Sequence, residues 1–513
     1  MRRLTGLMLC LLLLLSACGT AGPVLTPAPS PAPVPLPSFE DVLTDSNARH
    51  ADMVDRHLVE DLSPYLCEFS GGDLKSAGFT EEELAALVQY DALYSARTTL
   101  TAEEAARDVD LLFRLFRYCF ALYEYYGGRE AFDAARAAVE KDLAGQRFIT
   151  AGRLEEILFT RLSFITDGHS SLNGQPFTPR QRLYYSEEAA FLPDGAGGYV
   201  IDGVLPVRLT AVNGGTDLEH WIVPSISPEG RLVWYPGTLV PSGDPAVEAV
   251  YTLEDGELNL TLAEAQPYTG YERTPAFSAS WDGVPTVTMR DFTDADIRNL
   301  FIATGAPLAE EPLAILDLRG NGGGMLSTAS AWLYAYGCGG LGPFCGDIGV
   351  FLSTRATSYI KAHDTLRRLP FLNYLGTPEQ YHDKFMTDYR RRGNYSTLHQ
   401  SEAVERAEGG GLLFVLTDSA SMSCAEHLAA ALHGRENTIF VGTNTKGALL
   451  GDPGVLTVLP HSGIRVQLSV SLYLYYDGET FDETVGFHPD LWVGGDSLAR
   501  VEALISRYEL QQE

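Results

Sequence analysis

The sequence predicts an α/β protein with three stretches of different character: a helical N-terminal region, a β-rich middle and a mixed α/β core. Three observations carry this reading. Apolar residues between 41 and 166 recur at helical spacing, as in Val109, Leu112, Phe113, Phe116, Cys119 and Phe120. Between 180 and 290 that spacing fades, and turn pairs such as Asp255-Gly256 and Asp282-Gly283 separate short β-prone runs. From about 286 onward, continuous apolar runs of strand length alternate with helical patterns.

The chain itself bounds the function classes. Its 513 residues are 45% hydrophobic, enough to bury cores and to exclude a disordered chain. Lys and Arg number 37 against 67 Asp and Glu, a formal net charge of −30. Phosphate backbones need clustered cations, so nucleic acid is not an expected partner. Seven Cys in so long a chain exclude a disulfide scaffold.

The N-terminus reads as an address. Arg2 and Arg3 precede an apolar run from Leu7 to Leu15 that is too short to span a membrane as a mature helix. The run ends Leu15-Ser16-Ala17-Cys18, which resembles a bacterial lipobox, with cleavage before Cys18 and lipidation of its thiol. Loss of Arg2 and Arg3 with the leader makes the mature chain two charges more negative. Alternating prolines up to Pro37 favour an extended, semi-rigid stalk. The expected divisions are a signal peptide at 1–17, a lipidated Cys and Pro-rich linker at 18–40, and a helical domain at 41–170. A β-rich domain follows at 171–285 and a core at 286–513. Cys67, Cys119, Cys338, Cys345 and Cys424 remain, an odd number, so at least one thiol stays free; Cys338 and Cys345 flank a Gly-rich turn and could pair.

In the helical region, Thr80-Glu-Glu-Glu83 and Thr101-Ala-Glu-Glu104 read as capping boxes, and Leu154, Ile157, Leu158, Leu162 and Ile165 form a second apolar face. In the middle region, Tyr199–Ile201 and Leu258–Leu262 read as strands. In the core, strands are expected at Leu313–Leu318, Leu412–Leu416, Ile439–Val441 and Ile464–Leu474. The piece 351–410 reads as polar, aromatic and helical. Its Arg390-Arg-Arg392 cluster receives no function.

Common cofactor motifs are missing. There is no His-Glu-x-x-His, no Gly-Lys-Ser/Thr phosphate loop, no dinucleotide fingerprint and no Gly-x-Ser-x-Gly. Four separated segments remain: Asp167-Gly-His169-Ser170, Asp317-Leu-Arg-Gly-Asn-Gly-Gly-Gly324, Ser419-Ala-Ser-Met-Ser-Cys-Ala-Glu426 and Glu483-Thr-Val-Gly-Phe-His-Pro-Asp490. A Ser opening a helix sits beside free backbone N–H groups and the positive end of the dipole, which favours an oxyanion formed there. Ser423-Cys-Ala-Glu426 is equally an ordinary capping box. A Gly run after a buried strand brings backbone N–H groups close to a ligand, or simply makes a turn. A nucleophilic Ser needs a base such as His169, and the base needs a carboxylate such as Glu483.

In this order the segments resemble the tail-specific, or C-terminal-processing, serine peptidases, a family that includes the tricorn core and retinoid-binding repeat proteins. Val441-Gly-Thr-Asn-Thr-Lys-Gly447, Leu459-Pro-His-Ser-Gly463 and Gly486-Phe-His-Pro-Asp490 extend the likeness, which covers about 100–500. The resemblance implies a crotonase-like (ClpP/crotonase) α/β core and a serine-type peptidase acting on proteins or peptides, without metal or organic cofactor. It implies Ser423 as nucleophile, with an oxyanion hole from the N–H groups of Cys424 and of Gly322 or Gly323. The family has two bases. The Lys of the processing branch falls here on Ala448, with Lys446 two residues earlier. The tricorn-like branch uses His and Glu, matched by His169 and Glu483. The triad is preferred, and Lys446 is the alternative base. The Leu209-Thr-Ala-Val-Asn-Gly-Gly215 stretch resembles a PDZ strand-turn, implying a peptide-reading module that would bind by strand addition. The expected protein is thus an extracytoplasmic, lipid-anchored serine endopeptidase at the bacterial membrane. Other readings of the same chain are a non-catalytic peptide- or ligand-binding surface lipoprotein and a scaffold recruiting partners through its stalk.

Overall fold

The structure is a computed structural model that describes residues 36–55, 63–69, 78–89, 99–203, 206–270, 275–338, 349–368, 393–399, 409–474 and 482–511. The lipobox with Cys18, most of the stalk, Cys345 and Arg390–Arg392 lie outside the described residues. Cys338 carries a free thiol.

Six strands form the sheet that positions the candidate site: β1 (Phe277–Ser280), β2 (Thr286–Met289), β3 (Leu313–Asp317), β4 (Leu412–Thr417), β5 (Thr438–Gly442) and β6 (Leu491–Trp492). They lie in chain order across the sheet. β1 and β2 form an antiparallel hairpin, and every later pair is parallel. All of β3 and β5 is buried, which explains why both read as unbroken apolar runs rather than alternating ones. Helices Leu326–Ala335 and Cys424–His433 pack on one face of the sheet, sharing a core with Trp332, Leu428 and Leu432. Helices Phe39–Asp55 and Ser497–Arg507 contribute Phe39, Val501 and Leu504 to a second core around Ile315, Phe414 and Ile439.

The sequence boundary at 286 falls inside this architecture. The Asp282-Gly283 turn joins two strands of one sheet, so the core sheet begins at Phe277. The helical stretch is likewise no isolated unit. Its helices Ala102–Cys119, Gly128–Leu143 and Ala151–Arg161 share one core with Val350, Leu352, Val466 and Leu472, far along the chain. Their apolar faces are as periodic as the sequence suggests, but periodicity does not say which partner covers a face. Both capping boxes form: Thr80 Oγ1 accepts from the Glu83 N–H at 3.1 Å, and Thr101 Oγ1 from that of Glu104 at 3.2 Å, with each Glu carboxylate returning the bond.

The middle region is β-rich. Eight strands between Gln181 and Glu264 form one antiparallel sheet, with seven in a single hydrogen-bonded row and Ile222–Ile226 pairing beside it. The Asn213-Gly214 turn is present, with Asn213 at φ +50°. The PDZ reading does not hold. Among the described residues no α-helix lies between Arg161 and Ala295. The helix that flanks the receiving strand edge of a PDZ groove is therefore missing among the described residues.

Candidate active site

Three loops leave the carboxyl ends of adjacent parallel strands, where an open α/β sheet forms its crevice. β3 leads into the Gly run at 320–324, β4 into Ser423, and β5 into the 443–448 loop that carries Lys446. His169 enters from the end of the helical stretch, and Glu483 from the segment preceding β6. His169, Gly322, Gly323, Ser423 and Lys446 all line one cavity of about 1330 Å³. Glu483 and Cys424 lie behind its wall.

Ser423 stands at the head of helix Cys424–His433 with φ +55° and ψ −120°. Non-glycine residues rarely adopt this conformation, and strain of this kind concentrates at functional sites. Asn173, Asn213 and Asn437 also have positive φ, but Asn tolerates it locally whereas Ser does not. The tight strand–Ser–helix elbow is thus present without the Gly-x-Ser-x-Gly pattern. Room for it comes from elsewhere: Gly323, at φ +86°, lies so close that a Cβ there would sit 2.8 Å from Ser423 Cβ.

Glu426 has a larger role than a cap. Its buried carboxylate accepts from the Ser423 N–H at 2.9 Å and from the Gly447 and Ala448 N–H groups at 2.7 and 2.8 Å. It also accepts the Thr445 hydroxyl at 2.6 Å. One acid therefore ties the Ser423 elbow to the Lys446 loop.

The two glycines proposed as oxyanion donors differ. The Gly323 N–H is already donated to Asn321 Oδ1 at 2.8 Å, which removes it as a free donor. Among the described residues the Gly322 and Cys424 N–H groups have no such partner, and a Cβ on Gly322 would meet only open space. The Cys424 Sγ turns away and donates to the Gly324 carbonyl at 2.8 Å. Burial pushes its thiol up to about 12. Iodoacetamide at neutral pH should leave Cys424 of the folded chain unmodified by mass spectrometry, whereas rapid alkylation there would contradict this burial.

His169 is buried, and burial lowers its pKa against the opposing pull of Asp167, Asp452 and Glu426. Its backbone is pinned by Asp167, which accepts the His169 N–H at 3.0 Å, and by Gln467, which donates to the His169 carbonyl at 2.9 Å. Among the described residues its ring Nδ1 has no hydrogen-bond partner. Glu483 does not touch that ring. Its carboxylate accepts the Gly168 N–H at 3.0 Å and those of Leu449 and Leu450 at 2.5 and 2.7 Å. Burial and the neighbouring Asp167 raise the Glu483 pKa well above the usual carboxylate range. The expected carboxylate–imidazole bond is therefore absent, and Glu483 instead holds the backbone on which His169 is mounted. Gly168 explains the glycine of Asp-Gly-His: a Cβ there would fall 2.0 Å from the Gly447 carbonyl oxygen.

Lys446 is half-buried, with Nζ 3.4 Å from the Met422 sulfur. Burial lowers its pKa, Arg180 and Arg182 lower it further, and Glu426 opposes them. Sequence reasoning passed over both arginines and Asn321. The Arg180-Gln-Arg182 alternation at the start of a strand was the available signal. Among the described residues no group of three or more His, Cys, Asp or Glu could hold a metal ion.

A family model described as peptidase family S41 matches residues 375–493. No curated protein matches the chain in sequence. Among solved structures it is similar to mature CPAF, with TM-score 0.37 and 13% identity over 80% of this chain and 97% of that one. It is similar to the photosystem II D1 C-terminal processing protease, with TM-score 0.30 and 15% identity over 79% and 96% of the two chains. For the tricorn protease the TM-score is 0.32 and the identity 13%, over 80% of this chain and 37% of that one.

Proposed function

We propose that the chain is a serine peptidase of the S41 type, whose family model matches residues 375–493, and that it is an extracytoplasmic endopeptidase with Ser423 as its nucleophile. The observation that carries the assignment is the elbow itself: a serine in a strained conformation, at a helix N-terminus, facing a cavity shared with His169 and with unspent backbone donors. In the proposed reaction His169 takes the Ser423 proton as the hydroxyl attacks the scissile carbonyl. The Cys424 and Gly322 N–H groups hold the oxyanion, His169 passes its proton to the leaving amine as the C–N bond breaks, and water deprotonated by His169 then hydrolyses the acyl-enzyme and frees Ser423. Substrates are proteins or peptides. Hydrogen bonds among catalytic groups often tighten only when substrate is bound, so the open Nδ1 of His169 is compatible with this role. Cleavage before Cys18 and its lipidation would tether the enzyme to the outer face of the bacterial membrane through the Pro-rich stalk.

Lys446 as base is the second reading, favoured by its half-buried place in the same cavity. The pH dependence separates the two. A base must be unprotonated, and activity falls as pH drops through its pKa. Burial lowers both groups, so an imidazole base places the acid limb of kcat/KM below about 6.5. A Lys446 amine as base places it somewhere below 10.5, so only the amine can account for a limb above 6.5. The expected result is a limb below about 6.5, a loss of at least ~100-fold in His169→Ala, and retained activity in Lys446→Ala. A limb well above 7 that vanishes in Lys446→Ala, with His169→Ala active, would give the role to Lys446.

A further inference from the structure

The cavity wall carries charge opposite to that of the protein as a whole. Arg180 and Arg182 lie two residues apart at the head of strand Gln181–Tyr185, and both line the Ser423 cavity. Arg180 is 5% exposed. Its Nη1 donates to the Thr166 and Glu483 carbonyls at 2.7 and 2.8 Å, while Nε and Nη2 have no partner. Arg182 is half-buried, and among the described residues its side chain makes one hydrogen bond, to the adjoining Gln181 carbonyl at 2.7 Å. Among the described residues neither guanidinium has a carboxylate within ion-pair distance. Arg290, also in the wall, is by contrast paired with Asp317 at 2.6 Å. The facing acids are committed elsewhere. Glu426 is spent on the N–H groups of the elbow, and Asp291 accepts from the Thr293 N–H and hydroxyl, both at 2.7 Å. A buried guanidinium with unused donors is costly unless an anion or water completes it.

We propose that Arg180 and Arg182 form a carboxylate subsite in the Ser423 cavity, filled by an Asp or Glu side chain of the peptide substrate. This rests on the peptidase reading of the cavity. The planar fork of Arg matches a carboxylate in two parallel bonds. The subsite would also let a chain of net charge −30 accept acidic peptides that its outer surface repels.

The test uses the full chain as Ser423→Ala and fluorescent peptides of one sequence with Glu or Gln scanned through successive positions, each with a free or an amidated C-terminus. At one position the Glu peptide should bind about tenfold or more tighter than its Gln twin, whether or not the terminus is amidated. Adding Arg182→Gln should remove most of that difference and leave the Gln peptide's affinity unchanged. Arg180→Gln should do the same if it folds, and Arg182→Gln decides the matter if it does not. Equal binding of Glu and Gln peptides at every position overturns the proposal. So does a preference that survives Arg182→Gln, or one that follows the free C-terminus instead of the side chain. Labelling of the wild-type chain by a fluorophosphonate reads the peptidase assignment separately. A labelled chain indifferent to Glu loses the subsite alone. An unlabelled chain that prefers Glu keeps the subsite and loses the peptidase reading.

Discussion

Ser423→Ala should lower peptide hydrolysis by about 10⁴-fold or more while the fold and peptide binding persist, because triad-type groups act as a unit and loss of the nucleophile removes covalent catalysis altogether. The structure gives a reason to expect little damage. The Ser423 backbone is held by the Glu426 carboxylate and by close packing against Gly323, and both contacts survive truncation; only the hydroxyl's share of the Ser423–Glu426 capping box is lost. Alanine in this positive-φ conformation is strained no more than serine. The expected kinetic signature is a collapse of kcat. Hydrolysis by Ser423→Ala at more than a few per cent of the wild-type rate would mean that another group is the nucleophile.

The second large effect belongs to Glu483. Truncation to Ala strands three buried N–H groups, those of Gly168, Leu449 and Leu450. At ~1 kcal/mol or more each, this costs about 3 kcal/mol before the relief of burying the acid is counted. Glu483→Ala should therefore show a clearly lower thermal midpoint and little activity. Glu483→Gln is the more telling change. One amide oxygen can still accept from Leu449 and Leu450, but the amide nitrogen cannot accept from Gly168. The fold should survive, and kcat should fall because His169 loses its backbone anchor. If Glu483 works only through that anchor, the acid limb of the pH profile stays where it is. If its carboxylate faces the imidazolium during the reaction, removing the charge moves the limb to lower pH. The observed contacts favour an unmoved limb.

Much of the core was legible because its signals are local. Leu313–Asp317, Leu412–Thr417 and Thr438–Gly442 are buried parallel strands, and such strands read as continuous apolar runs with turn residues at their ends. The capping boxes at Thr80 and Thr101 are equally local, closing within three residues. Ile464–Leu474 reads as one strand but breaks into Arg465–Leu468 and Ser471–Tyr473, where the buried Ser469 turns its hydroxyl to Asp167 at 2.6 Å. What failed was long-range. No sequence spacing shows that Asn321 spends the Gly323 donor, or that Glu483 reaches Gly168 rather than the His169 ring. The division at 285/286 cuts one hairpin, Phe277–Ser280 with Thr286–Met289, because strand pairing across a turn leaves no local mark in the sequence. Arg180 and Arg182 carry no distinctive signal in the sequence, since a pair of cations near a strand start is normally a solvated face. Only the fold turns it toward Ser423's cavity.

If Ser423 is the reacting group, a fluorophosphonate modifies its hydroxyl. The full chain is treated with the reagent, digested and sequenced by mass spectrometry. One adduct is expected, on the Ser423 hydroxyl, slowed in His169→Ala and absent from Ser423→Ala. A folded chain that takes no label, or takes it at another residue while Ser423 stays unmodified, would contradict that role for Ser423.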